Sequence, residues 1–253
     1  MRRASSLAHM VILVITMSAL APAGPAAAQW LDPGETRFWA ASGVALLTSW
    51  TLDGQLRRAE PGDGYGLPGL LASLGYRLGG EEVLVPGFIA ATGLTYLTGW
   101  PTDGPRMLRV FTGTAATGVA VEAIKTTVNR GRPREVGDPR EFRSLTFTRD
   151  NAWLAFPSGH SAAAFAVAAA LDEEFDLGHF RLVGYGLATV VGWSRHYHDA
   201  HWASDTVAGA VLGIATARTT VAFLKGLTDR SQPQVHLGIM AGAPVLAVSI
   251  PAR

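Results

Sequence analysis

Ser194-Arg195-His196-Tyr197-His198-Asp199-Ala200-His201-Trp202-Ala203-Ser204-Asp205 sets one cation, three histidines and two carboxylates between two apolar segments. Buried charge is costly unless it is paired, so a chain seeking only a core would avoid such a run. The stretch therefore binds something or does chemistry. His201 and Asp205 stand four apart and share one face if the following helix begins near them. A carboxylate held against one imidazole nitrogen fixes the tautomer and leaves the other nitrogen bare and nucleophilic.

Two earlier stretches supply what a nucleophilic histidine needs. Lys125-Thr-Thr-Val-Asn-Arg-Gly-Arg132-Pro133 places two cations seven apart, where a helical apolar pattern gives way to a Gly/Pro loop. Pro157-Ser158-Gly159-His160 opens the small-residue run Ser161 to Leu171, which predicts backbone N–H groups at a helix N-terminus, a natural anion site. Three positive side chains, a hydroxyl, free amides and two histidines together describe a pocket for a phosphate-sized anion.

Lys125-x6-Arg132-Pro133, Pro157-Ser158-Gly159-His160 and Ser194-Arg195-x5-His201-x3-Asp205 resemble the three-part signature of the type 2 phosphatidic acid phosphatase and vanadium haloperoxidase superfamily. Every signature position is present and in order, and a match in three spaced parts is far more specific than any one piece. The resemblance spans Lys125 to Asp205; outside it, only the helical, apolar character is shared. It implies an all-α fold, a compact helical bundle.

It also implies roles. His201 would attack phosphorus and form a phosphohistidine, with Asp205 orienting its ring. His160 would protonate the leaving oxygen and later take a proton from the hydrolytic water. Lys125, Arg132, Ser158, the Gly159 amide and Arg195 would hold the phosphoryl oxygens, with no metal or other cofactor. The function implied is a phosphatase acting on a phosphate monoester or diphosphate, as a phosphorylated lipid or a soluble phosphoester. Two alternatives stay open: a haloperoxidase, in which the same pocket holds vanadate, and a non-catalytic envelope protein that binds phospholipid. Haloperoxidases of the family tend to be longer, which counts against the first; the intact reactive groups count against the second.

Met1 to Ala28 reads as a secretory signal, with Arg2 and Arg3 as its positive head, a mostly apolar stretch from His9 to Ala21, and Ala26-Ala27-Ala28 as a small-residue cleavage site. The competing reading is an uncleaved anchor, but the apolar run falls short of the ~20 residues a span needs. This predicts export to the periplasm or cell envelope, with a helical phosphatase domain over 29–230 and a C-terminal tail over 231–253. There is no cysteine, so the fold holds by packing alone. A net charge of +1 implies no polyanion-binding surface and argues against nucleic acid as a partner.

Apolar blocks separated by Gly, Pro and charge predict helices near Thr36–Leu52, Leu67–Tyr76, Glu82–Thr98, Arg106–Thr127, Ser158–Leu171, Leu182–Ser194 and Asp205–Lys225. Only Val83–Thr102 satisfies the length and neutrality of a bilayer span; Arg109, Glu122 and Arg218 interrupt other runs. The pattern leans to a soluble domain or one resting on a membrane surface.

The charged loop Gly131–Phe156 reads as a solvated connector or as a rim over the pocket, and Trp153 and Phe156 as a staple for the next helix. Asp172-Glu173-Glu174 and Asp176 read as a solvated cap. Alternation at Val235, Leu237 and Ile239, then Leu246, Val248 and Ile250, predicts two short strands. His196, His198, Asp199 and His201 could make a zinc constellation, but their side chains would diverge in a helix or turn and the cationic company disfavours a divalent metal. The leaving group is left open, because no diagnostic residues stand before Lys125.

Overall fold

The structure is a computed structural model that describes residues 33–59, 66–98, 103–231, 234–240 and 243–249. The expected signal segment, Met1 to Ala28, lies outside the described residues. Among those described, seven helices run in order: α1 (Pro33–Ala59), α2 (Gly66–Leu78), α3 (Glu81–Leu97), α4 (Asp103–Val128), α5 (Gly159–Phe175), α6 (Arg181–Tyr197) and α7 (Ala203–Ser231). A single-turn 3₁₀ helix at Asn151–Trp153 precedes α5, and another at Gly178–Phe180 leads into α6.

The bundle is built around α5, whose alanine-rich sequence has high helix propensity and presents little bulk to its neighbours. It packs against α4, α6 and α7, while α1 lies on α7, α2 on α6 and α3 on α4. Gly209 and Gly213 let α7 cross α5 at short range: a Cβ at either would overlap the carbonyl of Ser158 or Ala162. Val110, Ala166, Ala169, Ala170, Ala217 and Val221 form one core, and Val121, Ile124, Phe156, Ala162, Ala208 and Leu212 a second nearer the signature motifs. Phe156 thus packs beneath the start of α5 in the manner of a staple.

Length and charge sort differently from the sequence expectation. α3 closes at Leu97, short of the expected Val83–Thr102 span. Among the described residues, Gly104–Val128 and Ala203–Thr228 are instead the helices long and apolar enough to cross a membrane, and only 33% and 39% of their apolar windows are buried. The interrupting charges do not face outward alone. Arg109 pairs with Glu174 at 2.6 Å, and Arg218 reaches Glu35 at 3.3 Å and Glu173 at 3.6 Å. Glu174 is correspondingly no solvated cap: it is buried, and Arg106 and Arg109 both donate to its carboxylate.

Large apolar side chains point away from the core on most helices, among them Val44, Leu70, Leu97, Val119, Leu182 and Phe223, with Leu97 86% and Val119 73% exposed. Apolar surface on this scale marks a membrane-associated protein. Beyond α7, β1 (Gln234–Met240) pairs antiparallel with β2 (Ala243–Ser249), Val235 opposite Val248 and Leu237 opposite Leu246. Ile250, expected in the second strand, lies outside the described residues.

Candidate active site

The signature residues come from helix ends that meet on one side of the bundle. Lys125 sits in the last turn of α4, His160 in the first turn of α5, Arg195 in the last turn of α6 and Asp205 in the first turn of α7. The chain leaves α4 at Asn129, whose left-handed backbone (φ 45°) suits asparagine. Asn129 then anchors the loop by donating to Thr148 O at 2.9 Å. Arg132 N donates to Ala152 O, and Ala155 N to Arg130 O, so residues 130–132 run beside residues 152–155. This pairing brings Arg132 and the Ala155 carbonyl to the same histidine.

His201 is 2% exposed and its ring is bound on both sides. Nδ1 lies 2.6 Å from Ala155 O. A carbonyl only accepts, so Nδ1 carries the proton and Nε2 is left with its lone pair. Arg132 Nη1 lies 3.3 Å from Nε2. The expectation that Asp205 holds the ring directly is corrected in its geometry: the carboxylate is 3.8 Å from Nδ1. Its oxygens are engaged elsewhere, Oδ2 accepting the Trp202 amide at 2.8 Å in a reverse cap of α7 and Oδ1 accepting Arg130 at 2.5 Å.

Arg132 is held by three acceptors, donating to Asn151 O at 2.7 Å, Asn151 Oδ1 at 2.9 Å and Ala200 O at 3.0 Å. Burial, then Arg134 and Arg195, draw its guanidinium down to about 10. Lys125 reaches over the start of α5, with Nζ 3.2 Å from where a Cβ on Gly159 would lie and 3.2 Å from Glu122 Oε1. Gly159 therefore leaves room for that ammonium.

Arg195 is buried, and its Nε and Nη1 have no hydrogen-bond partner among the described residues. Its guanidinium lies over the Tyr76 ring at 4.7 Å and hydrogen-bonds that tyrosine. Buried guanidinium protons left unmatched are costly, and an anion would match them. Ser158 caps α5, its hydroxyl accepting Ser161 N at 3.4 Å, while its own amide donates to Asp205 O at 3.0 Å. That amide is committed to α7, so among the backbone donors expected for an anion the Ser158 N–H drops out.

His160 packs against Tyr76, ring centroids 5.8 Å apart. Burial, then Arg195, His201, Lys125 and Arg132, pushes its imidazole down to about 3. Burial, then Arg132, Arg195 and Lys125, likewise holds His201 well below the usual histidine range. The cations of all three motifs thus act on both rings. The other two histidines of the decisive stretch part company. His198 stands edge-on to Tyr76, while His196 faces His201 O at 3.4 Å. Asp199 is clamped by Arg57 at 2.7 and 2.9 Å.

The sequence profile of the PAP2 superfamily matches residues 106–229. The likeness to the PAP2 superfamily takes in a little under half of the chain. The match covers α4 through most of α7 and every signature residue, leaving α1, α2 and α3 outside it.

Against other proteins, this chain is 31% identical over 104 residues to a protein of Rhizobium etli named lipid A 1-phosphatase, covering 41% of this chain and 44% of that one. It is 41% identical over 61 residues to a protein of the same name from Porphyromonas gingivalis, covering 23% of this chain and 14% of that one. The chain thus spans less than half the length of these curated relatives. The crystal structure of Aquifex aeolicus LpxE resembles it with a TM-score of 0.51 at 21% identity, over 68% of this chain and 93% of that one, a likeness of fold.

Three contributors to the candidate site were missed from sequence. Tyr76, on α2, stands between His160 and Arg195; the Ala155 carbonyl sets the His201 tautomer; Asn151 braces Arg132. Tyr76 ends an apolar helix and carries no local signal. The carbonyl belongs to an unremarkable residue, and Asn151 reads as a loop polar residue.

Proposed function

We propose that this protein is a membrane-associated lipid phosphatase that works without a metal, through a phosphohistidine on His201. The observation that carries the reading is the His201 ring, with Nδ1–H given to Ala155 O and an unprotonated Nε2 facing Arg132 Nη1 in a buried cationic pocket.

His201 Nε2 attacks phosphorus while the bond from phosphorus to the leaving oxygen breaks, and His160 delivers a proton to that oxygen. The phosphoryl dianion offsets the cations that depress His160, which allows His160 to take up the required proton from solution. Lys125, Arg132 and Arg195 hold the equatorial oxygens, with the Gly159 amide and the Ser158 hydroxyl at the end of α5. The Ala155 carbonyl and the Asp205 carboxylate stabilise the imidazolium formed. Water then attacks phosphorus, His160 accepts its proton, the P–N bond breaks and His201 returns neutral.

A lipid substrate is supported by the relatives' names and by the apolar surface around the helix ends that carry the site. Leu70 and Leu74 of α2 lie exposed on the same helix as Tyr76. α4 and α7 would cross the bilayer with the site at its surface, on the outer side if residues 1–28 act as an export signal. The named relatives are phosphatases, which favours hydrolysis over haloperoxidase chemistry.

The test is a panel of phosphatidate, an isoprenyl diphosphate, lipid A and a soluble phosphomonoester, with phosphate release and an acid-labile phosphoenzyme as readouts. His201→Ala should abolish both. A His201→Ala protein that turned over normally would remove this histidine as nucleophile.

A further inference from the structure

Asp53 lies on α1, outside residues 106–229, and is fully buried. Its Oδ1 accepts the Ser204 amide at 2.9 Å and its Oδ2 accepts the Ser204 hydroxyl at 2.6 Å. Arg130 Nη2 donates to the same Oδ2 at 2.7 Å, while Nη1 of that guanidinium donates to Ser204 Oγ at 2.7 Å and to Asp205 Oδ1. Arg140 Nη1 stands 3.8 Å from Asp53. Two guanidiniums therefore face two carboxylates, with Trp50, Phe142 and Trp202 packed around Arg130.

A buried ion-pair cluster is weak evidence for stability, since apolar residues of the same volume often serve as well. This cluster ends on a group of the site. Ser204 and Asp205 are the second and third residues of α7, and Asp205 Oδ2 holds the amide of Trp202, the residue after His201. The cluster is also charge-balanced. Without the Asp53 carboxylate, the two guanidiniums would exceed Asp205 by one positive charge beside an imidazole that must become cationic.

We infer that Asp53 is a positioning residue for His201: with Arg130 and Ser204 it fixes the first turn of α7, and it preserves the negative charge that Asp205 offers the ring. This rests on the phosphatase reading above. Asp53 touches no reacting atom, and it comes from a helix that the family match does not include.

The decisive experiment uses full-length protein in detergent micelles and the variant Asp53→Asn, which keeps the shape and removes the charge. Per folded molecule, kcat and the single-turnover rate of phosphoenzyme formation should both fall about 10- to 100-fold, as for other outer residues that orient a functional group. KM and the inhibition constant of inorganic phosphate should hold, because Lys125, Arg132 and Arg195 are untouched. A merely structural role would lower the melting temperature and leave kcat per folded molecule at the wild-type value, and that outcome overturns the inference.

If Asp53→Asn does not fold, Ser204→Ala removes only the bridging hydroxyl and should show the same selective loss in kcat; unchanged kcat there counts against the inference equally. If the wild type releases no phosphate and forms no phosphoenzyme, the phosphatase reading falls on its own. The positioning role is then read from the ¹⁵N shifts of the His201 ring. These should move in Asp53→Asn, and unmoved shifts overturn the role independently of turnover.

Discussion

Arg132 Nη1 and His201 Nε2 stand 3.3 Å apart, a guanidinium against the one unprotonated nitrogen of the ring. The remaining donors of Arg132 are tied to Asn151 and Ala200, so the fork cannot swing away. In the proposed reaction an incoming phosphoryl group places its phosphorus at Nε2 with an oxygen against that same Nη1. Arg132→Lys keeps the charge and loses the fork. We expect kcat/KM to fall about 10²- to 10³-fold, on the scale of removing one preorganised donor to a developing anion. Steady-state kinetics on a phosphorylated lipid would read it; a lysine variant of wild-type efficiency would show that the planar fork is not needed.

The unmatched Nε and Nη1 of Arg195 and the depressed ring of His160 belong to one electrostatic device. Arg195 is the largest charge acting on His160, second only to burial. A cation beside an imidazole disfavours its protonated form, so removing the cation must raise the midpoint. In Arg195→Ala the His160 ring should titrate above its value of about 3 while staying below the ordinary 6.5, because burial persists. Inorganic phosphate bound to the wild type should raise it too, by offsetting the cations. NMR titration of the His160 ring measures both, and a midpoint indifferent to both changes would break the link between the two residues.

Metal dependence separates this chemistry from two-metal phosphatases. In the proposed reaction Lys125, Arg132 and Arg195 hold the phosphoryl oxygens in place of divalent ions. Activity should survive exhaustive EDTA treatment, and added Mg²⁺ or Zn²⁺ should not raise it. Activity lost to EDTA and restored by one metal would refute the cation-only site.

Far from the site, Glu174 ties α4 to α5 through Arg106 and Arg109. Glu174→Ala leaves Arg109 without its carboxylate inside the bundle and should cost about 1–3 kcal/mol, as for other hydrogen bonds to charged groups. Thermal melts in detergent should show the loss, with kcat per folded molecule unchanged. A variant that melted as the wild type would mean that the arginines find other partners.

Much of the site could be read from the chain because its chemistry is carried by residue types at fixed short spacings. Ser194 to Asp205 could not be mistaken for core, and Pro157-Ser158-Gly159-His160 announced a helix start that the structure places at Gly159. Apolar blocks between Gly and Pro located all seven of the described helices for the same reason, since periodicity is local. The errors share a cause as well. Arg109 and Arg218 read as interruptions of apolar runs because a sequence does not say that Glu174, Glu35 and Glu173 wait opposite them. Val83–Thr102 read as the best span because composition does not reveal where a helix closes.

By itself, then, the sequence determined an all-helical chain with three motifs of the residue types that suit one phosphate-sized anion, and it marked His201 as the candidate nucleophile. Tertiary structure decided which groups gather around the motifs. The ring is oriented chiefly by the Ala155 carbonyl, Asp205 is shared with Arg130 and Trp202, and Asp53 and Tyr76 arrive from α1 and α2. A side chain's identity travels with its own codon, but a hydrogen bond needs two groups within about 3 Å. Between residues 77 positions apart, as Asp53 and Arg130 are, only the folded path of the chain sets that distance.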